Sequence, residues 1–184
     1  MGEHGFLKCG EDVRISGDVV FKHPELVELG SHVAIDGPCY FSTAMSIGDY
    51  VHIAPFCSVI GGASSRLEMG DFSGLSAGCR VVCGSDDYKG SGLTNPTVPA
   101  RFHAALKTTT VRIGRHAVIG TSCVIHPGVT IGEGAALGSC TLVTKDLQAW
   151  GVYLGMPARM VEERPREAIL EMERLLRLEE GRSR

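Results

Sequence analysis

Seven histidines and seven cysteines hold most of the reactive chemistry in this 184-residue chain. Imidazole titrates near working pH, so a positioned histidine is the usual proton acceptor in an enzyme site. The seven are His4, His23, His32, His52, His103, His116 and His126. The cysteines point elsewhere. Their count is odd and no C-x-x-C occurs, so neither a disulfide framework nor a paired-thiol zinc site is indicated. Proton transfer by one imidazole is the chemistry to place, and the elements around each histidine decide which.

Those elements repeat every six residues. Leu29, Ile35, Phe41, Ile47, Ile53 and Val59 are followed by Met69, Leu75 and Val81, then by Ile113, Ile119, Ile125, Ile131, Leu137 and Val143. Glycine follows seven of the fifteen. Neither the 3.6-residue helix nor the two-residue strand produces this period. A solenoid does, each hexad laying down a short strand and turning a corner, with three hexads to a coil. Cys39, Cys57, Cys79 and Cys123 fall at the fifth position of their hexads, with Val33, Ala63, Ser73, Ala117 and Ala135. That position is expected to hold small side chains packed inside the coil, where free cysteine behaves as a small hydrophobe.

The expected organisation is all-β. Residues 1–28 read as an irregular leading cap with a degenerate coil through Val13, Val19 and Leu26. Residues 29–161 form the solenoid, with Ser65-Arg66-Leu67-Glu68 as a four-residue corner insertion. A long excursion over 87–112 interrupts it, carrying Tyr88, Asn95, two prolines and His103. Residues 162–184 read as a helix and tail, with Ile169, Met172, Leu175 and Leu176 as an apolar stripe that packs on the coil or a neighbouring subunit.

Composition excludes several classes. Aromatics make up 6% of residues against 24 glycines, which suits a narrow aliphatic core. A net charge of −3 gives no basic field for nucleic acid. No run of 18 apolar residues and no export-type start is visible, so no membrane insertion and a cytoplasmic location are expected.

The Ile-Gly hexads, the long loop, the block IGTSCVIHPGVTIGEGAALGSCTLVTKD and the exit GMPARMV together resemble the hexapeptide-repeat acyltransferases over about residues 29–161. The sugar O-acetyltransferase branch, with galactoside, maltose and surface-polysaccharide acetyltransferases, is the nearer likeness. The resemblance implies a left-handed parallel β-helix, a homotrimer with active sites between subunits, and acetyl-CoA as co-substrate without a metal. Matched by motif, it implies Thr121, Ser139, Thr144, Lys145 and Arg159 as cofactor contacts, the last two for phosphates. Glu162 stands where relatives often carry a basic residue, so the phosphate contacts are expected either to be fewer or to be supplied by Arg164.

The galactoside and maltose branch keeps its catalytic histidine where the third coil breaks into the loop. Here Gly84-Ser85-Asp86-Asp87-Tyr88 occupies that place. The base is therefore expected to be His52, an outward corner residue whose stacked neighbours one and two coils on are Gly74 and Val118. Asp86 or Asp87 would orient the imidazole or hold the acceptor. His103 is the second histidine, able to reach a neighbouring subunit from the loop. Tyr88, Asn95 and Asp71 would line a polar sugar pocket, though Asp71 equally fits a turn after Gly70.

The expected activity is acetyl transfer from acetyl-CoA to a hydroxyl of a sugar or polysaccharide precursor. N-acetylation of a nucleotide-linked amino sugar is the close alternative. A γ-carbonic-anhydrase-like metalloenzyme would need two histidines five residues apart, and none are. A non-catalytic assembly module would have no use for the V-T-K-D and G-M-P-A-R blocks.

Overall fold

The computed structural model describes residues 5–182. Its body is a parallel β-solenoid of about seven turns that ends in a strand hairpin, and a single α-helix runs back along one corner of it rather than capping the coil end. Three sheets run along the axis as the faces of a prism. The first sheet begins with Lys8–Cys9 and ends with Thr130–Ile131. The second runs from Arg14–Ile15 through Ala136–Leu137 and Gly151–Leu154, and Arg159–Glu163 pairs antiparallel at its end. The third runs from Val19–Phe21 to Leu142–Val143.

All fifteen hexad residues stack in three columns, one per sheet, as in Leu29–Ile47–Met69–Ile113–Ile131. Each is at most 4% exposed. Their burial, at about 1.5–3 kcal/mol per large aliphatic, is the main force closing the coil. The small fifth position holds on two faces only. In the first sheet it carries Val27, Met45, Leu67, Val111 and Val129, all buried, so that face has two large inward residues per strand. Ala63 is not in this column. It is exposed in a turn, and the extra residues of that coil fall within 61–65, whereas Arg66–Met69 is a regular strand paired with Ala44–Ile47. The insertion therefore precedes Arg66 instead of spanning Ser65–Glu68, because Leu67 and Met69 both point inward.

The leading segment is a coil in register, Arg14–Ile15 pairing with Ala34–Ile35 and Val19–Phe21 with Cys39–Phe41. The excursion is also tighter than its sequence boundaries. Gly84–Ser85 pairs antiparallel with Lys107–Thr108 as a neck, and Thr110–Ile113 is already back in the first sheet.

The corner between the first and second sheets carries a ring ladder. His32, Tyr50, Phe72 and His116 all take left-handed φ near +58°. Their rings stack at 4.6, 4.9 and 5.1 Å. Trp150 covers His116 at 6.2 Å, crossing the intervening coil where Gly134 has no Cβ to meet its indole. Left-handed φ at bulky residues is strained; here it aims each ring outward at the coil spacing, so stacking offsets the cost. The helix α1, Glu167–Arg182, docks on this ladder through polar residues. Arg177 lies over Phe72 at 5.1 Å and donates to Asp71 at 2.9 Å. Glu173 accepts from His116 Nε2 at 2.7 Å. Burial pushes the Glu173 carboxyl up, but the His116 bond and the Arg115 charge outweigh it and leave it below the usual range. Of the apolar stripe, Ile169 and Leu176 are half-buried beside Phe72 and His116, while Met172 and Leu175 are exposed on this chain.

Candidate active site

The corner between the second and third sheets lies one position past each rung of the second sheet. In axial order it presents Asp36, Ala54, Ser76, Gly120 and Gly138. Stacked thiols hold this corner from inside. Cys39 donates to the carbonyl of Asp36 at 3.0 Å, Cys57 to Ser76 at 3.3 Å, Cys79 to Gly120 and Cys123 to Gly138, both at 3.2 Å. Burial pushes the Cys123 thiol upward, as packing requires, whereas the hydrogen bond with Cys57 lowers Cys79; all four are buried inside the coil. From outside, Arg80 donates to the carbonyls of Phe56, Gly78 and Cys79. Among the described residues, the N–H groups of Ala77, Thr121 and Ser139 donate to nothing within the coil. The corner therefore turns a row of free donors outward.

Beside that row, His52, Ala54, Gly74, Ser76, Ala77 and Val118 line a groove of about 280 Å³. Gly74 stacks directly on His52 in the next coil, so no side chain fills the space beside the imidazole. His52 Nε2 lies 2.8 Å from Asp36 Oδ2, one coil toward the N-terminus. Within this chain Asp36, and neither Asp86 nor Asp87, is the carboxylate that meets His52. Sixteen residues separate it from His52, but stacking makes them neighbours.

Asp86 and Asp87 are in the loop. Asp86 Oδ2 accepts the Asn95 N–H at 2.9 Å, and its Oδ1 lies 3.5 Å from His103 Nε2. Asp87 accepts from the Ser91 hydroxyl and the Lys89 N–H, which hold its carboxyl below the usual range and commit it to a turn. Tyr88 hydrogen-bonds Ser85 at 2.6 Å with its ring exposed. Asn95 thus shapes the loop through both its N–H and its Oδ1, which accepts from the Thr97 N–H and hydroxyl. The neck leaves at the corner between the third and first sheets, opposite the second sheet that carries the groove. Among the described residues, no hydrogen bond or ion pair joins the loop to His52.

The remaining expected contacts divide. Thr121 and Ser139 are exposed on the groove's corner, one and two coils beyond Ser76. Thr144 and Lys145 are exposed past Leu142–Val143, at the corner of the loop neck. Arg159 is exposed at the start of its strand. Asp71 is remote from the groove: its Oδ1 accepts the Asp49 N–H at 2.9 Å and its Oδ2 pairs with Arg177, so it serves coil and helix. Arg164 donates to the carbonyls of His116 and Gly134, at the corner of the ring ladder, and clamps the coil there. His23 faces Glu25, His126 is exposed at a turn, and His4 lies outside the described residues. Among the described residues no group of three or more metal-binding side chains occurs, and no helix is long and apolar enough to cross a membrane.

The family description "Bacterial transferase hexapeptide (six repeats)" matches residues 110–145. The dTDP-4-amino-4,6-dideoxy-D-glucose acyltransferase of Escherichia coli is 34% identical over 174 residues, covering 93% of this chain and 88% of the relative. AntD, an N-acyltransferase from Bacillus cereus solved with dTDP and 3-hydroxybutyryl-CoA, superposes with a TM-score of 0.88 at 34% identity, over 96% of this chain and 93% of AntD. Other AntD structures carry substitutions at one serine and at one aspartate ten residues downstream of it. The putative lipopolysaccharide biosynthesis O-acetyl transferase WbbJ of Escherichia coli K12 is 26% identical over 69% of this chain and 61% of WbbJ. The chain belongs to the hexapeptide-repeat acyltransferase family, and it is an acyltransferase.

Proposed function

We propose that this protein transfers an acyl group from acyl-CoA to the amine of a nucleotide-linked amino sugar, in a homotrimer whose sites lie between copies. The observation that carries this is the second corner itself: His52 and Ser76 line a groove that continues into the free N–H row of Ala77, Thr121 and Ser139. Pantetheine is a thin chain of amides and fits such a row, with its phosphate end directed to Arg159, while Thr144 and Lys145, at the corner of the loop neck, would meet a CoA held against a neighbouring copy. A free N–H at Ala77 suits the oxyanion that forms when a nucleophile adds to the thioester carbonyl.

His52 is the base in this account. The loop of the adjacent copy brings Asp86, steadied by Asn95 and His103, to hold the acceptor's ammonium or hydroxyl. Ser76 and Asp86 are the one serine and aspartate of this chain with the ten-residue spacing of the AntD substitutions, which supports both as site residues. Tyr88, Leu93, Phe102 and Leu106 are exposed on the loop, as expected of a segment that a second copy covers. Acyl-CoA as donor fits a cytoplasmic location, and the product would feed surface-polysaccharide assembly.

The WbbJ match favours a second acceptor class, a sugar hydroxyl. Incubation with acetyl-CoA and either dTDP-4-amino-4,6-dideoxyglucose or neutral sugars, read by mass spectrometry, separates the two. An amide product is expected. Ester alone would move the assignment to O-acetylation, and no product with either acceptor would overturn both.

A further inference from the structure

Beside the groove, one coil toward the N-terminus, stands a carboxylate that neither the family likeness nor the loop motif singles out. Asp36 follows rung Ile35, and its carboxylate meets His52 Nε2 at 2.8 Å. Both ends of its peptide are fixed: its N–H donates to the Ile53 carbonyl at 2.9 Å, and its carbonyl accepts from Cys39. His52 is held equally well, its strand pairing with Ala34–Ile35 below and Gly74–Leu75 above. Its stacked neighbours on that face, Ala34 and Gly74, carry no ionisable group, and Arg14 stands two coils away in the same column. One acid therefore engages the ring, from the side away from Ser76.

We infer that Asp36 is the positioning residue of His52, binding Nε2–H so that Nδ1 is the nitrogen that takes the acceptor's proton. This rests on the proposed function. With Nε2–H donated to a carboxylate, the neutral imidazole carries its lone pair on Nδ1, and the imidazolium formed during reaction keeps the same partner. The acceptor amine, neutral when it attacks, forms the new C–N bond to the thioester carbonyl carbon. Its excess proton passes to Nδ1. Collapse of the tetrahedral adduct breaks the C–S bond, and the CoA thiolate takes that proton from Nδ1, returning the imidazole to neutrality. An axial order follows along the corner: Asp36, His52, Ser76, then the cofactor row. The donor lies toward the C-terminal coils, so the acceptor sugar enters from the side of Asp36.

Steady-state kinetics of the full-length Asp36→Ala, Asp36→Glu and His52→Ala proteins with acetyl-CoA and dTDP-4-amino-4,6-dideoxyglucose test this. Loss of orientation should lower kcat about 10- to 100-fold in Asp36→Ala, with KM for both substrates within about threefold, because the base is worth ~10²–10⁴-fold in total. Asp36→Glu should recover part of kcat. Should alanine unsettle the coil, the near-isosteric Asp36→Asn replaces it. Wild-type kcat in a folded Asp36 variant, with His52→Ala inactive, removes the role of Asp36 and leaves the base in place. A His52→Ala protein near wild-type activity removes both. A fall confined to KM, or equal losses in Asp36→Ala and Asp36→Glu, would make Asp36 a binding or structural group and also overturn the inference.

Discussion

Besides the His32–Asp12 pair on the ring ladder, two histidine–aspartate pairs stand at different sides of the prism, and they are built differently. His52 and Asp36 sit on consecutive coils, 2.8 Å apart, with side chains more than half exposed. His103 and Asp86 sit in the loop, 3.5 Å apart and about one-fifth exposed, with the Asn95 N–H holding the carboxylate. In the coil the backbone is fixed by the stacking register while the side chains face open space. In the loop the carboxylate is held by its own segment, whose apolar residues are left uncovered. A rigid exposed pair is suited to meeting substrate, and a covered pair on an uncovered loop is suited to being delivered by one copy to another. The contrast suggests a division of labour: proton transfer on the coil, acceptor placement from the loop.

The sharpest way to break that contrast is His52→Ala, which should lower kcat/KM by about 10²–10⁴-fold with CoA binding retained. Turnover above a third of wild type would show that the coil pair is not catalytic. Asp86→Ala should cost about 10- to 100-fold, the range of one hydrogen bond to a charged group, and should raise the acceptor KM more than the acyl-CoA KM. His103→Ala, acting only through Asp86, should fall short of that loss. Equal effects of the two loop substitutions in steady-state assays would make His103 a direct participant.

The smallest effect concerns neither pair. Glu173→Gln should leave activity unchanged and lower Tm by roughly 2–8 °C at neutral pH, for a cost of about 1–2 kcal/mol. The folded-state pKa of Glu173 is lowered, so its stabilisation is present above the ordinary glutamate range and is lost as pH falls through the lowered value. The Tm difference between wild type and Glu173→Gln should therefore close in acid. A constant gap across that range would show that the Glu173 charge does not hold α1.

The coil was legible because its signal is local and redundant: fifteen apolar residues at one spacing admit one kind of fold. Its lateral detail was not. Six-residue counting places the excess residues at Ser65–Glu68 instead of the turn before them, because it cannot see that Leu67 and Met69 both face inward. The ring ladder was missed for a related reason. His32, Tyr50, Phe72 and His116 are separated by whole coils plus insertions, and bulky residues at left-handed φ carry no signature of their own. At the site, the openness beside His52 could be read from Gly74, one coil on. Asp36 could have been found by the same step taken backwards, but proximity along the loop motif drew attention to Asp86 and Asp87. Asp71 looked like a sugar ligand because only the structure shows Arg177, 106 residues away, against it.

The central claim is that one groove and another copy's loop make one site, and mixing inactive chains tests it most directly. Co-assembled His52→Ala and Asp86→Ala subunits should regain activity, because about a quarter of sites in a randomly mixed ring would pair an intact groove with an intact loop. Activity no higher than that of either variant alone, in mixed oligomers shown to contain both chains, would contradict the account.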